Sequence, residues 1–248
     1  MQSSRKIHSR FLVWLGGHEL GILLSIAGIA AGVWIFSMIA DKVAGHGPGT
    51  FDRTLLLAMR RPGNLRPIGP PAVQDAARDI TALGGVAVLG LLTLITSGFL
   101  VLDDKRRMAA LVCGSVLSGL IAGTILKGLF VRPRPELVPR VEYASGWSFP
   151  SGHSMMSAIT YLTLGALLAR SHERRRHKAY FFLVAVVLTF LIGVSRVYLG
   201  VHWPTDVVAG WTAGAVWALF CWLAVRWLQR EHAIERETEH HDTTPGTF

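Results

Sequence analysis

Cysteine and charge are what this chain has least of, and each scarcity excludes something. Of 248 residues only 2 are cysteine, Cys113 and Cys221. Both stand inside apolar runs, which excludes a disulfide framework and reads as two small buried hydrophobes. There is no CxxC and no HExxH, so nothing calls for a structural or catalytic metal, and no cofactor is expected. Charged residues make up 17% of the chain against 51% hydrophobic ones, and the mean hydropathy is +0.40. A soluble domain of that make-up would need several core helices with no polar face, whereas stretches buried in lipid account for it directly. Acidic residues are the scarcer sign, 16 against 25 basic, for a net charge of +9. The excess does not point to nucleic acid, because the basic residues sit between apolar runs without the aromatic interleaving of a nucleic-acid platform.

Six segments approach the ~20 residues needed to cross a ~30 Å hydrocarbon core. They are 20–40, 84–102, 108–130, 153–169, 180–199 and 207–227. The expected fold is all-α: a polytopic membrane helix bundle with about six transmembrane helices, forming one domain over residues 1–230. The fourth segment is the shortest and carries polar residues along part of its length. The first follows Arg5, Lys6 and Arg10, as a signal peptide does, but it is too long for a typical h-region. Met38-Ile39-Ala40 is not an A-x-A cleavage site either, so a retained anchor is expected. Between the first two spans, 51–60 and 72–83 read as short amphipathic helices separated by Pro62, Pro67, Pro70 and Pro71. They would lie in the headgroup layer or pack as a lid. The polar stretch 231–248, rich in Glu and His, reads as a disordered cytoplasmic tail.

Orientation follows from where the basic residues fall. Arg5, Lys6 and Arg10 lie on one side, with Lys105, Arg106 and Arg107 and then Arg170, Arg174, Arg175, Arg176 and Lys178. Arg226, Arg230 and Arg236 share that side. Positive charge in short loops marks the cytoplasmic face. The expectation is a multi-pass protein of the cell (inner) membrane with both termini cytoplasmic. Segments 41–83, 131–152 and 200–206 are then outside.

Three clusters of costly polar residues lie in those outer segments or at the span ends that meet them, and such residues near a membrane tend to mark function. One is Lys127 followed by Arg134-Pro135, spaced K-x6-R-P. Another is Pro150-Ser151-Gly152-His153. The last is Ser195-Arg196 with His202 and Asp206, spaced S-R-x5-H-x3-D. Each alone has an ordinary explanation. Lys127 would snorkel to the headgroups, Arg132-Pro133-Arg134-Pro135 would be a stiff solvated loop, Ser151 would cap a helix, and His202 would be a capping or interface residue.

Together they describe one site. Lys127, Arg134 and Arg196 are enough cations to surround the oxygens of a phosphate, and the arginines add fork-shaped donors suited to it. Ser151 and Gly152 open a helix, where free N–H groups and the positive end of the dipole favour an anion. His202 and Asp206 share a face if their stretch is helical, and Pro204 suits a first turn. A carboxylate on one imidazole nitrogen fixes the tautomer and leaves the other to attack phosphorus. His153 would then give a proton to the departing alkoxide.

The three motifs resemble the signature of the type 2 phosphatidic acid phosphatase superfamily. Lys127, Arg134, Pro135, Pro150, Ser151, Gly152, His153, Ser195, Arg196, His202 and Asp206 match every defining position of that pattern. The resemblance implies a metal-independent phosphatase that forms a phosphohistidine on His202. His153 would be the acid and Asp206 the orienting carboxylate, with Lys127, Arg134, Ser151, Gly152 and Arg196 holding phosphate. It implies a phosphorylated membrane lipid as partner and leaves the lipid open. Bacterial relatives act on undecaprenyl diphosphate, phosphatidylglycerophosphate, phosphatidic acid and lipid A phosphates.

Three other functions use similar residues. A vanadate-dependent haloperoxidase has a comparable anion pocket, but those relatives are mainly soluble. A lipid phosphotransferase would pass the same intermediate to an alcohol. A non-catalytic carrier or flippase would need the cations but neither histidine nor Asp206.

Overall fold

The structure is a computed structural model describing residues 2–45, 47–142, 144 and 146–242, with side chains described for 20–44, 47–142, 144 and 146–227. Among the described residues it is all-helical, apart from one isolated bridge between Arg60 and Pro67. The helices are α1 (Gln2–Gly45), α2 (Thr50–Ala58), α3 (Pro71–Ala82), α4 (Val86–Leu102), α5 (Arg106–Leu129), α6 (Gly152–Arg170), α7 (Arg175–Tyr198) and α8 (Pro204–Asp242).

Every segment read as a span falls on a helix, but fewer helices are long and apolar enough to cross a membrane. Leu20–Ala44 in α1, Arg106–Leu129, Arg175–Tyr198 and Pro204–Trp227 qualify. A fifth arises if α3 and α4, bent by 46° at their junction, are one broken span. Four or five candidate spans make this a multi-pass membrane chain. Their outer faces agree: Trp34 is 65% exposed and Leu94 69%, a display of apolar surface suited to lipid and not to water.

The fourth segment fails the test for a reason visible in its packing. Helix α6 is enclosed by α7, α8, α5 and α4. Ser154, Ser157 and Thr160 are fully buried on it, beside Met155, Ala158 and Ile159. A helix with protein on most sides needs no apolar exterior, and two of its hydroxyls bond locally: Ser157 Oγ donates to the Ser154 carbonyl at 3.1 Å and Ser154 Oγ to Ser151 Oγ at 3.0 Å. Helix α8 comes close enough for backbones to touch. A Cβ on Gly214 would lie 2.5 Å from the Met155 carbonyl oxygen, and one on Gly210 would lie 2.6 Å from that of Ser151.

Helices α2 and α3 form close to the two stretches expected between the first spans, and Pro71 opens α3 where a missing N–H costs nothing. α3 packs on α7 and α2 on α8. Helix α8 continues through Asp242, because Glu231, Ala233, Glu235, Arg236 and Glu237 are good helix formers extending a helix already nucleated. The last residues expected in a disordered tail, 243–248, lie outside the described ones, as do the side chains of Arg5, Lys6, Arg10, Arg230 and Arg236.

The bundle has two distinct ends. The C-terminal ends of α5 and α7 meet the N-terminal ends of α6 and α8 at one, where Ala40 of α1 also packs with Phe149 and Ala209. The opposite end carries Arg106, Arg107, Arg170, Arg174, Arg175 and Arg176.

Candidate active site

Residues from all three motifs meet at the first of these ends. Helix α6 begins at Gly152, capped by Ser151, whose Oγ accepts from the Ser154 backbone N–H at 3.4 Å and from Ser154 Oγ at 3.0 Å. The Ser151 N–H is already given to the Asp206 carbonyl at 3.0 Å. That bond ties the start of α6 to the start of α8, and it leaves the next N–H groups of α6 to face an anion. Lys127, in the last turn of α5, reaches across to this point. A Cβ on Gly152 would stand 3.3 Å from its Nζ. The glycine lets the ammonium sit close against the backbone, where a side chain would push it aside by a few tenths of an ångström.

His202 is reached by a reversal of the chain after α7. Gly200 takes φ +75°, in the left-handed region where a side chain is strained. The ring is 2% exposed. Arg134 Nη1 lies 3.2 Å from its Nε2. A guanidinium can only donate, so Nε2 must accept and the proton of the neutral ring belongs on Nδ1. Nδ1 faces Asp206 Oδ2 at 3.5 Å, an ion-pair contact slightly too long for a good hydrogen bond. Burial pushes the His202 imidazole down to about 4; the Asp206 carboxylate opposes the shift, and the charges of Arg134 and Arg196 add to it. The ring is therefore neutral at ordinary pH, with its Nε2 lone pair turned toward cations.

Arg134 is held by loop carbonyls. Nε donates to Gly146 at 3.0 Å and Nη1 to Val201 at 2.8 Å. Arg196, 3% exposed, donates from Nη1 to Glu142 Oε2 at 2.6 Å and to Thr81 Oγ1 at 3.0 Å. His153 lies in the first turn of α6 among Arg196, His202, Lys127 and Arg134, all close enough for their charges to act on it. Its ring packs at the bend between α3 and α4, 3.4 Å from where a Gly84 Cβ would be. Ser195 turns away, donating to its own helix at Ile192.

Sequence reading missed several residues here. Glu142 and Thr81 partner Arg196. Arg132 and Asp52 are the largest omission: Arg132 Nη1 bonds Asp206 Oδ1, and its Nη2 reaches Asp52 Oδ2 at 2.6 Å. The tandem Arg132-Pro133-Arg134-Pro135 was a signal for the first, and nothing in the pattern marked Asp52. Chemically, the arrangement offers a neutral imidazole with an accepting Nε2, a second imidazole within reach of its charge, and three cations near the first turn of α6.

The family model described as the PAP2 superfamily matches residues 108–230. The chain is 33% identical over 148 residues to phosphatidylglycerophosphatase B of Bacillus subtilis (strain 168), covering 59% of this chain and 72% of that protein. It is 28% identical over 131 residues to an undecaprenyl-diphosphatase of Sulfolobus acidocaldarius, covering 51% and 59%. Among solved structures, the crystal structure of the first transmembrane PAP2 type phosphatidylglycerolphosphate phosphatase from Bacillus subtilis superposes with a TM-score of 0.68 at 25% identity. It covers 82% of this chain and 96% of that one.

Proposed function

This chain belongs to the PAP2 superfamily, and on that premise we propose that it is a lipid phosphatase that hydrolyses the phosphomonoester or diphosphate of a membrane lipid through a phosphohistidine on His202. The observation that carries the reading is the contact of Arg134 Nη1 with His202 Nε2 at 3.2 Å, which assigns the lone pair to the nitrogen facing the cations. Asp206 stands at the other nitrogen.

The reaction follows from those positions. Lys127, Arg134 and Arg196 hold the phosphoryl oxygens together with the first N–H groups of α6, and they offset the charge of the transition state without a metal ion. His202 Nε2 forms a bond to phosphorus as the bond to the lipid oxygen breaks. The leaving oxygen takes a proton from His153, because the incoming phosphate offsets the positive charge around that ring and lets it hold one. Asp206 stabilises the imidazolium on which the phosphoryl group sits. Water then attacks phosphorus as the Nε2–P bond breaks, giving a proton to His153, so that inorganic phosphate leaves and the His202 ring returns to neutral.

The relatives' names support phosphatidylglycerophosphate and undecaprenyl diphosphate as substrates to test first, with phosphatidic acid beside them. The basic end of the bundle, opposite the site, supports cytoplasmic termini and a site at the outer face. The lipid would enter from the outer leaflet, with the helices α2 and α3 beside the headgroups. The test is phosphate release from a panel of lipid mono- and diphosphates in detergent, with chelator present. Wild-type protein should turn over at least one of them, and His202→Ala should lose several orders of magnitude. Activity of His202→Ala at the wild-type level would remove the mechanism and favour some other nucleophile.

A further inference from the structure

Asp52 and Arg132 form a buried ion pair that belongs to none of the three motifs. Their side chains are 2% and 6% exposed, and Asp206, which shares the same guanidinium, is fully buried. Asp52 comes from α2 and Arg132 from the loop after α5, so elements far apart in sequence converge behind the imidazole. Thr205 completes the group. Its backbone N–H donates to Asp52 Oδ1 at 2.9 Å, and its Oγ1 accepts from Arg132 Nη1 at 2.8 Å while lying 2.8 Å from Asp52 Oδ2. The guanidinium also lies over the Trp203 ring, 5.7 Å from its centroid, and Trp203 Nε1 donates to the Pro133 carbonyl at 3.1 Å.

We propose that Asp52 and Arg132 are positioning residues for the reaction: they lock the Asp206 carboxylate and keep its charge available to His202. This rests on the reading of His202 as the nucleophile. The lock is geometric. Arg132 takes Oδ1, and the Trp203 backbone N–H takes Oδ2 at 2.9 Å, so the carboxylate cannot turn and Oδ2 stays 3.5 Å from Nδ1. The charge is set by Asp52. Arg132 alone would neutralise Asp206 and weaken its hold on the imidazolium that forms when Nε2 bonds phosphorus. Paired with Asp52, the guanidinium brings no net charge, and Asp206 faces the ring as a full anion. Lysine cannot replace Arg132, because one ammonium does not span two carboxylates and a hydroxyl in fixed directions.

Three variants of the full chain in detergent test this: Asp52→Asn, Arg132→Lys, and the double variant Asp52→Asn/Arg132→Gln. The double variant removes both charges together, so the net charge around Asp206 is unchanged while its arginine bond is lost. Two readouts are taken. One is kcat and KM on the lipid phosphate that the wild type hydrolyses best. The other is the imidazole tautomer of His202 by 15N chemical shift at neutral pH, assigned by the signal missing in His202→Ala. All three variants should lose about ten- to hundredfold in kcat with KM little changed, the scale seen when partners that orient an imidazole are removed. In Arg132→Lys and the double variant the Nδ1–H tautomer should give way to a mixture. A folded double variant with wild-type kcat and an unchanged tautomer overturns the proposal. If the wild type hydrolyses no lipid phosphate, the functional reading falls, and the tautomer comparison still decides this one.

Discussion

Gly152 and Lys127 are in contact across the two helices that frame the site: the glycine's missing side chain leaves the space beside the lysine ammonium, 3.3 Å from where a Cβ would be. The ammonium is thereby pressed against the first turn of α6, where its charge and the helix N–H groups act on the same anion. Gly152→Ala should therefore displace the end of a flexible side chain and leave the fold intact. We expect kcat/KM to fall about tenfold, or about 1.4 kcal/mol of transition-state binding. Steady-state kinetics on the best lipid substrate checks this, with circular dichroism as the control for folding.

Asp206 has two duties, and replacing it should reveal both. In Asp206→Asn the amide no longer attracts the Nδ1 proton, so the ring can take the tautomer that cannot attack. Activity should fall about a thousandfold or more, as when the carboxylate of a catalytic triad is neutralised. Arg132 also loses one of its two carboxylates, so the melting temperature in detergent should drop with the activity.

The state of His202 makes a prediction about pH. A neutral imidazole attacks and an imidazolium cannot, and burial holds this ring's protonation down at about 4. Activity that depends on the neutral ring is therefore present above that pH and lost as pH falls through it. The acidic limb of kcat/KM assigned to His202 should lie near pH 4, well below the ~6.5 of an unperturbed histidine. A pH profile corrected for the substrate's own titration would show it. A limb near 6.5 would mean the ring is solvated and the site more open than described.

Close contact between α6 and α8 predicts a stability effect distinct from catalysis. A Cβ at residue 214 would fall 2.5 Å from a backbone oxygen, which cannot swing aside as a side chain can. Gly214→Ala should force the two helices apart and cost about 1–3 kcal/mol. Thermal unfolding in detergent would register the loss.

Much of this site was legible because its residues are unusual where they stand. Lys127, Arg196 and His153 are polar groups at the ends of apolar segments, and Ser151, Gly152 and Pro204 carry helix-start signals. Other parts were hidden for physical reasons. Helix α6 has near the length of a span without its apolar exterior: Ser154, Ser157 and Thr160 are buried among neighbouring helices, which hydropathy along one chain does not register. Asp52 reads as a solvated charge on a short amphipathic helix. Only its contact with Arg132, 80 residues away in sequence, makes it buried and paired. Glu142 and Thr81 were silent for the same reason, since a partner across the fold leaves no period and no spacing.

The central claim is that an imidazole of this chain bonds to phosphorus, and chemical trapping addresses it most directly. Protein mixed with 32P-labelled lipid phosphate would be quenched in alkali within one turnover, digested, and mapped by mass spectrometry. The account predicts an acid-labile, alkali-stable phosphoryl group on the peptide containing His202, absent from His202→Ala and accumulating in a variant slowed in the second step. Label on His153, on a carboxylate or serine, or on no residue while phosphate is still released, would contradict it.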